Sequence, residues 1–375
     1  MSAFVAAPLA GATLASLGAD VIRVDPPGGG IDFDRWPLHN DRSLYWAGLN
    51  QGKRSATVDT RTEEGRANVT RLITAPGEGA GIYLTNLPVS EWNSYARFSA
   101  LRPDLIMLVV TGDRDGRTAV DYTVNAALGF PWITGPEGHD GPVNHVLPAW
   151  DAMTGYLAAM AIIAADRHRR MTGEGQLIEL SLADVGLSVA GHLGLLGEAI
   201  LNEEPRGRFG NHVYGTFGRD FLTRDDRHVM VLALTARQWR SLGEATGLTE
   251  DLAQIAAASS LDLSREGARW QARHQICEVL EPWIRRRTLA EVRVAFDEHG
   301  ILWGPYQTFK ELVSADPRAS TANPLFAEVE HPGVGRFLTG GSPVRFGAAA
   351  AVPPRPSPAL GEHTAEVMRE LGPAS

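Results

Sequence analysis

From Tyr156 to Ala165 ten consecutive positions are apolar, and one carboxylate, Asp151, stands just upstream in the stretch NHVLPAWDAMTGYLAAMAIIAADRHRR (residues 144–170). A run of this length reads as a long, largely buried helix. Upstream of it the pattern is different: short apolar runs alternate with segments of helical period. PLAGATLASLGA (8–19) has apolar positions at helical spacing and stops at a glycine, and ADVIRVD (19–25) follows as a strand ended by Pro26 and Pro27. SATVDT (55–60), GIYLTN (81–86) and LIMLVVTG (105–112) read as further strands, with EEGRANVTRLITA (63–75) as a helix between the first two. Alternation of this kind predicts an α/β layer structure with a parallel sheet. Ligands of such sheets bind at the carboxyl ends of the strands, which here means Pro26 to Gly30, Asn86 and Gly112. MSAFVAAP leaves almost no room for the strand that normally opens such a sheet, so the expected sheet starts one strand short.

Beyond the long helix, a GEGQ turn (173–176) leads into the strand-to-helix run LIELSLADVGLSVAGHLGLL. The texture changes at EEPRGRFGNHVYGTFGRDF (203–221), a linker dotted with glycine and arginine. HVMVLAL (228–234), a helix bearing Arg and Trp, and one long helix around 266–297 then predict a compact second domain. From about Ala315 the tail is rich in Pro and Gly and ends in LGEHTAEVMRELG, a terminal helix.

Composition narrows the function. A chain of 375 residues with 44% hydrophobic and 21% charged positions suits a main domain plus a smaller one. The formal charge of −9 argues against nucleic acid and membrane surfaces as partners, because both demand a basic face. No basic-then-apolar leader opens the chain and no run approaches the roughly 18 residues of a membrane span, so a cytoplasmic protein is expected. The single cysteine, Cys277, excludes an intrachain disulfide and a cysteine zinc cluster. An anionic ligand must then be met locally, and Arg23, Arg35, Lys53, Arg54, Arg114 and Arg117 recur beside glycines in the first third of the chain.

The familiar motifs are absent. Gly28-Gly29-Gly30 lacks the GxGxxG spacing of a dinucleotide fold and the GxxxxGK[ST] of a P-loop. The eleven histidines form no HExxH, so no metal is expected, and no GxSxG elbow appears. LNQGKRSATVD (49–59) is either a plain edge loop or an anion-binding one. For Asp151 two readings stand side by side: an N-cap whose oxygen accepts orphan backbone N–H groups, or a nucleophilic carboxylate at the positive end of a helix, partly desolvated by Trp150 and the apolar run.

Six separated blocks, in order, resemble one family. FVAAPLAGATLASLGADVIRVDPPGGG, NQGKRSATVD, DLIMLVVTG, the isolated aspartate of PAWDAMTGYLAAMAI, TGEGQLIELSLAD and LGEHTAEVMRELG are similar to the class III CoA-transferases, which include formyl-CoA transferases and α-methylacyl-CoA racemases. The resemblance implies a Rossmann-like large domain built from both chain ends (1–207 and 316–375), a small α+β domain (208–315), and an interlocked homodimer. It implies that Asp151 is the catalytic aspartate and is carried through a covalent aspartyl-CoA thioester, with coenzyme A as part of the substrate and no prosthetic group. It further implies CoA contacts at Phe4, Val5, Ala6, Arg23, Arg35, Asn86, Gly112, Arg114 and Arg117, and an acyl pocket lined by Asp121 and Tyr122.

NHVLPAWD, VDYTVN and GNHVYGTFGRDF resemble members that move CoA between the two carboxyl groups of mesaconate, an unsaturated C5 diacid. Transfer to a separate acid is the nearest alternative, and an inactive CoA-binding protein a further one. A racemase would need a His/Asp pair, and in RTAVDYTVNAALG Val120 stands where racemases carry the histidine before Asp121. The small-domain glycine-rich loop of formyl-CoA transferases is not evident either.

Overall fold

The computed structural model describes residues 1–372. The described residues separate into two compact units, one of residues 1–129, 144–203 and 316–372, the other of residues 130–143 and 204–315.

The first unit begins with α1 (Ala6–Ser16), followed by β1 (Ile22–Asp25), α2 (Leu44–Leu49) and β2 (Arg54–Thr57). Next come α3 (Glu63–Ile73), β3 (Ile82–Thr85), α4 (Tyr95–Leu101), β4 (Ile106–Thr111) and α5 (Asp121–Ala127). The long helix α6 (Ala149–Thr172), β5 (Gln176–Ser181), α7 (Leu182–His192) and α8 (Leu195–Leu201) complete this part. All the pairings among β1 to β5 are parallel, in two groups: β1 beside β2 with Ile22 opposite Arg54, and β3, β4 and β5 in that order. As expected, no strand precedes α1; Ala3 instead exchanges two hydrogen bonds of 2.8 Å with the Asn86 side chain just beyond β3. Val24 of β1, Tyr83 of β3 and Met107 of β4 share one core with Val69, Ile73 and Phe98 from the helices above.

α6 is the axis on which the site hangs. Its buried positions, among them Thr154, Ala158, Ile162, Ala165 and Arg169, recur every three or four residues, as one face of a helix requires. α1 packs along it through small buried residues, Ala6, Ala7 and Ala10. The approach is close enough that a Cβ on Gly155 would lie 2.8 Å from the Ala6 carbonyl oxygen, so only glycine fits there. The helix ends at Gly173, whose φ of 79° is left-handed and whose N–H closes onto the Arg169 carbonyl at 2.7 Å.

The second unit holds an antiparallel sheet of β6 (Phe217–Leu222), β7 (His228–Ala233) and β8 (Leu302–Pro305), with β7 in the middle. Helices α9 (Ala236–Thr246), α10 (Thr249–Ser259), α11 (Arg273–Arg285) and α12 (Leu289–Glu298) cover it around Phe217, Leu242, Ile276, Leu280 and Phe296. The single long helix expected around 266–297 is in fact interrupted, because Thr288 and Glu291 form a capping box that starts α12 afresh. Residues 130–143 join this unit, an excursion that a boundary at 207/208 does not anticipate. Arg208 holds them by donating to the carbonyls of Trp132, His139 and Gly141 at 3.1, 2.8 and 2.7 Å.

The chain returns to the first unit with the hairpin β9 (Phe326–His331) and β10 (Gly335–Gly340), unanticipated in the tail, and ends in α13 (Thr364–Leu371). The turn before α13 is stitched to β2: the Gly361 N–H donates to Ser55 Oγ at 3.0 Å and the Thr57 N–H to Thr364 Oγ1 at 2.9 Å.

Candidate active site

Asp151 is the third residue of α6, not its N-cap, which is Pro148. The capping oxygen comes from elsewhere in the fold. Asp121, the first residue of α5, accepts the backbone N–H of Trp150 at 2.7 Å and that of Asp151 at 3.1 Å through one oxygen. Proline at 148 has no N–H to offer and no side-chain acceptor, so a carboxylate from α5 supplies what the local sequence lacks. Asp121, expected in the acyl pocket, is thus buried beneath the helix start, 2% exposed, and its second oxygen has no hydrogen-bond partner among the described residues.

α5 also holds the loop that leads into α6. Asn125, fully buried, accepts from Trp150 Nε1 at 3.2 Å and donates to Asn144 Oδ1 at 3.2 Å, while its Oδ1 lies 2.9 Å from His145 Nε2. Tyr122, half exposed on the same helix, reaches the Val146 carbonyl at 3.4 Å. These contacts fix the backbone of residues 144–151 from one side, and with it the direction in which the Asp151 side chain leaves the helix.

The electrostatics of Asp151 run against its position. The first turn of a helix favours an anion, yet burial and then the neighbouring charge of Asp121 push the Asp151 pKa up to about 6, with Arg35 pulling the other way. A carboxylate with that history is weakly hydrated and poorly compensated, and so more nucleophilic toward an activated acyl carbon than a solvated one.

Arg35 is exposed, and its guanidinium stacks between two rings, 5.3 Å from the centre of Phe4 and 5.0 Å from that of Tyr45. Phe4 adopts a left-handed backbone, φ 60°, immediately before Val5 caps α1 and Ala6 begins it. Tyr45 has its hydroxyl pKa pushed up to about 12 by burial, with Asp151 and Tyr122 among the groups whose charge it feels. Phe4, Arg35, Tyr45, Tyr122 and Asp151 therefore belong to one neighbourhood.

The other expected contacts separate from it. Arg23, expected to touch CoA, faces inward and is 3% exposed: it pairs with Asp25 at 2.7 Å and Asp32 at 2.9 Å and donates to Asn50 at 3.1 Å. Lys53 is likewise buried, its ammonium donating to the carbonyls of Pro8 and Leu49 and to Asn50 Oδ1 at 2.7, 2.8 and 2.8 Å. Arg114 and Arg117 stay at the surface, paired with Asp184 and with Asp113 and Asp115. Gly112 closes β4 where a Cβ would strike the Ala119 carbonyl, and Asn86 is the residue that ties down Ala3. Sequence reasoning missed Tyr45, for which no spacing signal exists, and Asn125, which lies in plain view within VDYTVN. Among the described residues no three His, Cys, Asp or Glu side chains gather as a metal site, and no single helix is long and apolar enough to cross a membrane.

A partly buried aspartate in the first turn of a long helix, in an α/β unit with parallel strands, is the setting that comparison with known proteins places in a class. The sequence profile of CoA-transferase family III matches residues 1–364, and the chain belongs to that family. It is 53% identical over 372 residues to 2-methylfumaryl-CoA isomerase of Chloroflexus aurantiacus, covering 99% of this chain and 91% of that one. It is 27% identical to succinyl-CoA:mesaconate CoA-transferase of Haloarcula hispanica, covering 98% and 93% of the two chains. The crystal structure of a CAIB/BAIF family protein from Brucella suis superposes with a TM-score of 0.80 at 25% identity, over 99% of this chain and 97% of that one.

Proposed function

We propose that the protein moves coenzyme A between the C1 and C4 carboxyl groups of mesaconate, converting 2-methylfumaryl-CoA to 3-methylfumaryl-CoA. The observation that carries this reading is the Asp151 carboxylate, partly buried, held by a fixed backbone, with its pKa pushed up to about 6. The 53% identity to an isomerase of that substrate supports the choice of acyl group.

The steps follow from what such a carboxylate can do. Asp151 attacks the C1 thioester carbonyl, the C–S bond breaks, and a mixed anhydride forms with release of CoA thiolate. The thiolate attacks the aspartyl carbonyl, expelling the diacid and leaving an aspartyl-CoA thioester. The diacid turns, and its C4 carboxylate attacks that thioester, giving a second anhydride and the thiolate again. Attack of the thiolate on the C4 carbonyl yields the product and restores Asp151. Keeping the diacid bound replaces a diffusing acceptor by one at high effective concentration.

CoA enters as substrate. The expected contacts of Phe4, Val5 and Ala6, beside the site, and of Asn86, Gly112, Arg114 and Arg117, which lie apart from it, stand as proposals for holding it. A homodimer is part of the proposal; exposed Tyr156, Met160 and Ile163 of α6 and Ile200 and Leu201 of α8 are apolar surface that a second copy would cover.

Incubation with the C1 thioester of mesaconate and chromatography of the C4 isomer tests the reading directly. Labelled free mesaconate in the same mixture should stay out of the product. Ready incorporation of the label would instead favour transfer to a separate acid, the activity in the name of the Haloarcula hispanica relative.

A further inference from the structure

We infer that Arg35 is the receptor for the acyl group's free carboxylate, and that it restricts the site to thioesters of dicarboxylic acids. This rests on the reading of Asp151 as nucleophile given above. Among the described residues the Arg35 guanidinium makes no ion pair and no side-chain hydrogen bond, although Asp32 and Asp34 lie close to it in sequence. Each of the other arginines and the lysine considered at this end of the sheet is engaged: Arg23 and Lys53 inside the unit, Arg114 and Arg117 with aspartates. Arg35 alone of that set is both uncompensated and held in place.

What holds it is aromatic. Stacking on Phe4 and Tyr45 fixes the plane of the guanidinium without consuming its N–H donors. Phe4 does this from a left-handed backbone that a non-glycine residue adopts at a cost, and strain of that kind persists where surrounding structure enforces it. The same segment is pressed against α6, since the Ala6 carbonyl abuts Gly155, one helical turn beyond Asp151. Arg35 thus keeps a planar fork of donors free in a neighbourhood where Asp151 and Tyr45 both feel its charge, and a carboxylate is the group that matches such a fork.

The inference also explains how one site serves both halves of the reaction. In the substrate thioester the free carboxylate is C4; in the product it is C1. While CoA rests on Asp151, the diacid carries two carboxylates, and a single receptor can release one and take the other as the molecule turns. No bond is made or broken at Arg35, so it is a positioning and specificity residue.

The test compares two thioesters with and without the cation: mesaconyl-CoA, and crotonyl-CoA, which has a methyl group in place of the distal carboxylate and lacks the branch methyl. Acylation of Asp151 is read at about pH 8, where the carboxylate is ionised with or without Arg35, by trapping with hydroxylamine and mass spectrometry of the peptide. In Arg35→Met the trapping rate with mesaconyl-CoA should fall about 100-fold, while that with crotonyl-CoA stays within about threefold of the unaltered protein. Affinity for free CoA should not change, and Arg35→Lys should recover only part of the loss, since it restores charge without the fork. Equal losses with both thioesters, or a loss of CoA affinity, would overturn the inference and place Arg35 on the CoA chain. If the unaltered protein gives no adduct at Asp151 with either thioester, the nucleophile assignment itself fails and the inference falls with it. A melting temperature like that of the unaltered protein shows that the variant is folded, as expected for an exposed side chain.

Discussion

Two pairs of acids lie within the same unit, and the protein treats them in opposite ways. Asp25 and Asp32 converge on Arg23, which offers them Nε and one terminal nitrogen while the other donates to Asn50, and the three charged side chains are 3% exposed or less. Asp121 and Asp151 converge on the first turn of α6, where only backbone N–H groups answer them, and both of those go to Asp121. The first pair is a compensated ion cluster that tethers the loop after β1. In the second, one acid takes the helix amides and the other is left with burial and a like charge, which is why Asp151 has its pKa raised to about 6. Compensation keeps a carboxylate ionised and structural; withholding it raises its affinity for a proton.

The sharpest break of that contrast is to delete each acid's function in turn. Asp151→Ala should lower kcat/KM for thioester isomerisation more than about 1000-fold, worth over 4 kcal/mol of barrier, while leaving free CoA bound with near-normal affinity in a calorimetric titration. Residual turnover above about 1% would exclude an obligatory covalent aspartate. Arg23→Met is the counterpart: it strands two buried carboxylates and should lower the unfolding free energy by about 4 kcal/mol in a urea titration. A loss near zero would mean that the cluster is hydrated or rearranges, and that it is no different in kind from the site.

The contrast also marks what the sequence can and cannot disclose. The strands at 82–85 and 106–111 were legible as short, nearly continuous apolar runs, and those at 22–25 and 54–57, which carry Arg23, Asp25 and Arg54, from their β-branched residues and the loop signals that bound them. Thr288 and Glu291 were a readable capping box, hidden by the apolar period that runs on through Ala272 to Trp283 and invites one helix where there are several. The hairpin at 326–340 alternates as a strand should, yet the glycines and prolines around it masked the pattern. The position of the candidate acid was visible; the reason for its raised pKa was not. That Asp121 caps a helix thirty residues away, or that Arg23 turns inward onto Asp32, depends on tertiary contacts with no local spacing rule.

A smaller effect separates charge from chemistry. The Asp151 pKa is raised on folding from 3.8 to about 6, so the folded state binds a proton more tightly than the unfolded one. Its ionisation therefore costs stability: the cost is absent below the unfolded pKa, grows as the pH rises between the two values, and is complete above the folded one. Asp151→Asn should then be more stable than the unaltered protein by about 3 kcal/mol at neutral pH, and the difference should vanish in denaturant titrations carried out near pH 3. For the Asp25 and Asp32 cluster the same kind of substitution should destabilise, since there the negative charge is matched by Arg23.

The smallest effect bears on Asp121, which joins the two halves of the contrast by being both a cap and a charge. Asp121→Asn keeps an oxygen for the Trp150 and Asp151 amides but removes the negative charge beside Asp151. With that repulsion gone, the acid limb of the kcat/KM profile, set by Asp151 near pH 6, should move to lower pH. A less strained carboxylate is also a weaker nucleophile, so the plateau above the limb should fall, by about 3- to 10-fold, or roughly 1 kcal/mol. Asp121→Ala would orphan the amides as well and add a capping loss of about 1 kcal/mol to stability. If the limb stays where it is in Asp121→Asn while the plateau falls, Asp121 acts on Asp151 only by holding the helix, and burial alone accounts for the raised pKa.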